Sequence, residues 1–240
     1  VHGGAWNFGS RANNVRMDTT LAESGLLVIA VDFRLAPQHP FPAQTVDVNY
    51  ATRWVKAHAV DYNGDARFLG GLGSSSGGQT IMLSALLARD PRYAVIPFAE
   101  SPNIDASFSF VMGAWPVLDP LARYMYAKRE NLERLIEASL GYFQNEENMQ
   151  EGNPQMILER GEHQELPPML IIQGTNDDNV PVSIAQRFEK AYRDAGGSIK
   201  VEWFEGMAHT FASQPGPESE RARGMMKEFV AIQLEAFATV

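Results

Sequence analysis

Cysteine is missing from all 240 residues, which excludes a disulfide framework, a thiol nucleophile and any cysteine-based zinc site. Long apolar runs are missing as well. The longest, Leu26–Val31, Ile81–Leu83 and Met169–Ile172, fall far short of the roughly 20 residues a bilayer-spanning helix needs. Basic residues are outnumbered, 20 Lys plus Arg against 29 Asp plus Glu for a net charge of −9, a balance that disfavours nucleic acid and anionic membrane as partners. There is no HExxH and no cluster of ligand-type side chains, so neither a metal nor an organic cofactor is expected. No leader is visible, and the chain opens at Val1 directly into a motif. The missing cysteines lean toward the cytoplasm, but the compartment is not legible.

What is present suits one α/β domain with a substantial core, at 45% hydrophobic content. Its organising stretch is Arg67–Arg89, RFLGGLGSSSGGQTIMLSALLAR. A short apolar entry at Phe68 and Leu69 leads into a Gly/Ser turn, and a run apolar on nearly every face leaves it, as a buried helix would. G-x-S-x-G fits there in one register, with Gly73 and Gly77 around Ser75. That is the pattern of a nucleophile elbow, a strained strand-to-helix turn that lifts a serine oxygen clear of a sheet. Two other readings of the same residues are a flexible Gly/Ser linker and a phosphate-cradling turn at a helix N-terminus. The linker conflicts with the strand and helix patterns abutting it; the phosphate turn lacks G-x-G-x-x-G, because Gly71 and Gly73 are followed by Ser76.

Elsewhere strand and helix patterns alternate. Leu26–Phe33 (LLVIAVDF) predicts a strand buried on both faces, and the proline-rich RLAPQHPFPA follows it. A helix is expected over Asp47–Ala59, the next strand at Ala94–Phe98, and a buried strand at Pro168–Gln173 that ends in GTNDDNVP. Pro181 opens a further helix, stopped by Gly196–Gly197. Ile199–Phe204 alternates as a half-exposed edge strand, with His209 on the loop after it. The last helix, about Glu218–Phe237, should pack Met226, Phe229, Val230, Leu234 and Phe237 into the core. Between Glu100 and Leu166 no strand-like run stands out; the segment is aromatic-rich and helical over Leu121–Leu140, with a polar, exposed stretch at Gln144–Glu165.

HGGAW at His2–Trp6, VDFRLAPQHPFPA at Val31–Ala43 and GSSSGG at Gly73–Gly78, in this order, resemble the hormone-sensitive-lipase-like branch of the α/β-hydrolases. Ser74 and Ser76 stand where that branch usually has Asp and Ala. The resemblance implies a mostly parallel sheet with helices on both faces, a core made of 1–98 and 167–240, and a helical cap at 99–166. It also implies a triad in the chain order Ser75, Asp177, His209, with Asp177 favoured over Asp178 by G-T-x-D-x-x-V-P, and an oxyanion hole from the amides of Gly3, Gly4 and Ser76. His209 would serve as the base, since imidazole is the side chain suited to accept and return a proton near neutrality.

The expected activity is that of a serine carboxylesterase on small to medium acyl esters, acting through an acyl-enzyme. The same machinery would serve an arylformamidase or other amidase, or a carbohydrate acetyl or feruloyl esterase. A non-catalytic binding protein, as in the gibberellin receptors, is disfavoured by retention of all three triad residues. The expected partner is a small-molecule ester, and a homodimer is compatible with the sequence. Relatives in this branch carry further strands before H-G-G. With those strands absent, Leu26–Phe33 should border a gap or pair directly with Phe68–Gly70.

Overall fold

Strand segments that are apolar on both faces have to lie between two layers. The computed structural model describes residues 1–239, and within them four strands run parallel in one sheet: β1 (Gly70–Ser74), β2 (Phe110–Ala114), β3 (Met169–Gly174) and β4 (Ile199–Phe204), in the spatial order β1-β2-β3-β4. The register sets Gly73 beside Gly113, Ala114 beside Ile172 and Gly174 beside Phe204.

Successive residues of a strand face opposite sides, and the core divides accordingly. Val111, Met169 and Ile171 point into one layer, built with Val46, Ile81, Leu83, Ile184 and Phe188. Those residues come from α2 (Ala43–His58), α3 (Ser76–Leu86) and α8 (Val182–Asp194). Phe110, Met112, Leu170 and Ile172 point the other way, against α1 (Val15–Ala22) and α9 (Pro217–Ala238). β4 closes the sheet with only its ends, Ile199 and Phe204, buried, the edge expected from its alternation.

Between β2 and β3 the chain forms α4 (Pro120–Arg129), α5 (Glu133–Phe143), α6 (Glu146–Glu151) and α7 (Pro154–Glu159). Three of these helices begin at a side chain that caps them. Asp119 accepts from the Ala122 amide at 2.9 Å, Asn145 from Asn148 at 2.8 Å and Asn153 from Met156 at 3.2 Å, each satisfying a helix N-terminal donor.

Several expectations are corrected. The strand predicted at Ala94–Phe98 lies instead at β2. Pro97 supplies no N–H to a central ladder, whereas FVMGA at 110–114 is short and small enough to sit between β1 and β3. Residues 110–114, assigned to the cap by sequence, therefore belong to the sheet, and the helical insertion begins after Ala114. Gln144–Glu165 is not uniformly exposed, since Asn153 at the start of α7 and Gln155, Ile157 and Leu158 within it are buried.

The largest departure is Leu26–Phe33, which forms no strand. A strand exists only as part of a ladder, and among the described residues no partner lies beside this one. Of the two expected outcomes the gap is observed: a groove of about 370 Å³ separates Leu26–Val31 from Phe68–Leu72. Leu27 is 46% and Ile29 36% exposed. Leu234, expected in the core, lines the same groove and is 45% exposed. Only at its upper end is β1 covered, where the Val1 nitrogen donates to the Leu72 carbonyl at 2.7 Å and the Ser74 amide to the Val1 carbonyl at 3.2 Å.

Candidate active site

The turn between β1 and α3 holds Ser75 at φ 51°, ψ −120°, a region that non-glycine residues occupy at a cost of about 1–3 kcal/mol. The surroundings enforce it. The Ser75 amide donates to the Ala114 carbonyl at 2.9 Å, and its own carbonyl accepts from Gly78 and Val117, both at 3.0 Å. The flanking glycines are required for contact: a Cβ on Gly73 would lie 2.4 Å from the Gly77 carbonyl oxygen, and one on Gly77 would lie 2.3 Å from that of His2.

The loops after β3 and β4 bring the other two residues to the same sheet edge. Asp177 Oδ1 accepts from the amides of Asn179 at 2.9 Å and Val180 at 2.8 Å. Its Oδ2 accepts from Gln173 Nε2 at 3.0 Å and His209 Nδ1 at 2.8 Å. A carboxylate so surrounded is fixed in place, and its side chain is fully buried. Asp178, its neighbour, is exposed and offers only its carbonyl, to the Tyr126 hydroxyl. With Nδ1 donating to Asp177, the lone pair on His209 Nε2 faces Ser75 Oγ at 3.0 Å. The imidazole is further confined by the Trp115 ring, 6.1 Å away between centroids.

The HGGAW loop packs over the elbow, and the two serines that depart from the family pattern tie it down. The Gly3 amide donates to Ser74 Oγ at 3.0 Å, which in turn donates to Asn14 Oδ1 at 2.9 Å. The Trp6 amide donates to Ser76 Oγ at 3.2 Å. Trp6 Nε1 reaches Gln79 at 3.0 Å, and the Trp6 carbonyl accepts from Ala36 and from Gln44 Nε2. The proline-rich segment thus serves to seat Trp6. Of the three amides expected in the oxyanion hole, that of Gly3 is already engaged, whereas those of Gly4 and Ser76 have no acceptor among the described residues. His2 stays out of the chemistry: its ring stacks on Phe33, Nδ1 donates to the Gly3 carbonyl at 2.7 Å, and burial lowers its pKa.

Beneath this assembly lies Arg123, which no sequence pattern singles out. On a helix of polar composition it reads as a surface residue, yet it is 1% exposed. Its Nε and Nη2 hold Asn179 Oδ1, at 3.2 and 2.7 Å, and its guanidinium lies 5.6 Å from the Trp6 ring. Burial lowers its pKa to about 10, with Asp177 opposing the shift and Arg134 adding to it. It remains cationic at neutral pH. The open space above Ser75 and His209 is a cleft of about 310 Å³, walled by the HGGAW loop, Trp115 and α4–α5. Among the described residues no group of three or more His, Asp or Glu is placed to hold a metal ion, and no helix is long and apolar enough to cross a membrane.

A parallel sheet with helices on both faces and a serine on the strand-to-helix turn define the α/β-hydrolase fold. Solved structures agree: the chain superposes on inhibited esterase B from Lactobacillus rhamnosis with a TM-score of 0.82 at 20% identity, covering 99% of this chain and 77% of that one. The butyrate-bound esterase 2 of Thermogutta terrifontis gives a TM-score of 0.74 at 24% identity, with coverages of 96% and 80%. The family model BD-FAE matches residues 1–192, and the chain belongs to that family. It is 30% identical over 223 residues to esterase LipC of Mycobacterium tuberculosis, covering 88% of this chain and 52% of that protein. It spans about half the length of the curated relatives it matches.

Proposed function

We propose that this protein is a serine carboxylesterase in which Ser75 is the nucleophile, His209 the general base and acid, and Asp177 the orienting carboxylate. The observation that carries this is the unbroken line from Asp177 Oδ2 through His209 to Ser75 Oγ, at 2.8 and 3.0 Å, ending on a strained turn. A serine hydroxyl is a weak nucleophile at neutral pH unless a base removes its proton. Ser75 Oγ attacks the acyl carbon as its proton passes to His209 Nε2. The amides of Gly4 and Ser76 receive the negative oxygen, each such donor being worth about 2.7–4 kcal/mol. His209 then protonates the leaving alkoxide, and an acyl-serine remains. Water, giving a proton to the same nitrogen, attacks that ester; the carboxylic acid departs and the proton returns to Ser75. Asp177 stays ionised throughout and keeps the proton of the neutral imidazole on Nδ1.

The naming of LipC as an esterase supports the same reaction class. The cleft volume of about 310 Å³ lies at the small end for ligand sites and supports short to medium acyl groups. The helices after Ala114, which we assign as a cap, supply one wall. The partner is accordingly a small-molecule ester. A series of p-nitrophenyl esters from acetate to palmitate tests the reading, with kcat/KM expected to peak at short chains. Cleavage of the matching anilides with no ester turnover would replace it by an amidase.

A further inference from the structure

Resting on the esterase reading, we infer that the cleft selects esters bearing a second, anionic group, with Arg134 as its contact residue and Arg123 as a buried charge beneath. The lining of the cleft carries this. In a chain of net charge −9, the residues that line the cleft include two arginines and no Asp or Glu, the Asp177 carboxylate being fully buried behind His209. A cleft of one sign within low-dielectric walls concentrates ligands of the other sign.

Neither arginine forms an ion pair among the described residues, although the Asp177 charge acts on Arg123 from a distance. Arg123 is met by Asn179 rather than by a carboxylate, and its Nη1, although buried, has no hydrogen-bond partner among the described residues. Arg134 rises from α5 into the cleft beside Leu135, its guanidinium 5.2 Å from the Phe8 ring. It is exposed and makes no ion pair among the described residues. A salt bridge to a neighbouring acid would silence it, but Glu133 and Glu137 of the same helix make no ion pair with it among the described residues, and Glu130 at the end of α4 is taken by Arg129. Both arginines line the same cleft, so an anion entering it is attracted by two like charges at once. The contact with the Phe8 ring leaves the N–H donors of Arg134 without partners among the described residues, and a guanidinium with free donors matches a carboxylate with two parallel hydrogen bonds.

The ligand chemistry is an ester with a free carboxylate a few atoms from the reacting carbonyl. That carboxylate can sit on the acyl side, as in a hemiester of a short diacid, or on the alcohol side, and the experiment separates the two. Turnover is followed at constant pH for monomethyl glutarate against methyl pentanoate, and for 4-(butyryloxy)benzoate against phenyl butyrate. One anionic ester should exceed its neutral counterpart in kcat/KM by about tenfold or more, the usual range for a hydrogen bond to a charged group. Arg134→Gln, at an exposed position where folding is not at stake, should reduce that ratio by a similar factor. Binding of monomethyl glutarate and methyl pentanoate to the Ser75→Ala protein, measured by calorimetry, gives a readout independent of turnover. The anion should bind more tightly there, and the added Arg134→Gln substitution should erase the difference. Turnover of neutral and anionic esters alike, with ratios near one that Arg134→Gln does not move, overturns the subsite and leaves the esterase reading standing. Selective anion binding without hydrolysis of any ester would do the reverse.

Discussion

The two edges of β1 teach opposite lessons about what makes a strand. At its carboxyl end both the amide and the carbonyl of Ser75 find partners, and the chain there tolerates a residue at φ 51°, ψ −120°. Along its outer side, Leu26–Phe33 has the stronger β-forming composition of the two segments, yet forms no strand, because a groove of about 370 Å³ lies where a neighbour would have to be. GGLGS at 70–74 has little intrinsic strand propensity and becomes β1 because β2 pairs with it. Pairing, rather than composition, decided both outcomes, and the chemistry was built at the paired end.

This contrast can be broken experimentally. The largest effect is expected at the elbow: Ser75→Ala should lower ester kcat by about 10⁶-fold, as loss of a triad nucleophile does, while the unfolding temperature changes little, because alanine keeps the same Cβ on the same turn. Asp177→Asn should cost about 10⁴-fold in kcat near neutral pH, because the amide presents the wrong hydrogen-bonding pattern to the imidazole. Both are read with p-nitrophenyl butyrate.

In stability the comparison is direct. Ile171 is fully buried in β3, and Ile171→Ala should cost about 2–5 kcal/mol in denaturant titrations. Ile29→Ala, on the unpaired segment, should stay within about 0.5 kcal/mol. Amide hydrogens of Leu26–Val31 should exchange far faster than those of Met169–Gly174; equal protection would show that the segment is paired after all.

A smaller effect is expected where the HGGAW loop meets the elbow. Ser76→Ala removes the acceptor for the Trp6 amide, worth about 0.5–1.5 kcal/mol, and should lower kcat more than it raises KM because the loop that presents Gly4 loosens. A change in KM alone would contradict that positioning role. Smallest is a pH effect outside the site. Burial raises the pKa of Asp105, but hydrogen bonds from Lys56, Ser107 and Arg89 outweigh it and hold the carboxyl well below the usual range. A carboxyl whose pKa is depressed in the folded state stabilises the fold above its unfolded value of about 3.9 and loses that contribution as pH falls further. Asp105→Asn should therefore flatten the loss of stability below about pH 4 and leave that slope unchanged between pH 6 and 8.

Much of the site was legible because its residues carry local constraints. Gly73 and Gly77 are required by close contacts around Ser75, and the loops holding Asp177 and His209 each follow a strand whose pattern is plain. Asp177 could be told from Asp178 by motif, and the geometry around His209 follows the same choice. What the sequence did not reveal depends on distant packing. Nothing local marks β2, whose five residues owe their place to β1 and β3. Nothing local buries Arg123 either, since its surroundings come from the HGGAW loop on one side and the Asp177 loop on the other. Nothing local separates Gly3 from Gly4 either: the Gly3 amide donates to Ser74 Oγ, whereas that of Gly4 has no acceptor among the described residues.

The central claim is that Ser75 is activated by His209 and Asp177, and covalent labelling addresses it most directly. The protein is incubated with a p-nitrophenyl alkylphosphonate at neutral pH, digested and analysed by mass spectrometry. The account predicts one phosphonyl group per chain, located on Ser75, with labelling slowed by orders of magnitude in His209→Ala. A protein that remains unlabelled, or an adduct on any residue other than Ser75, would contradict it.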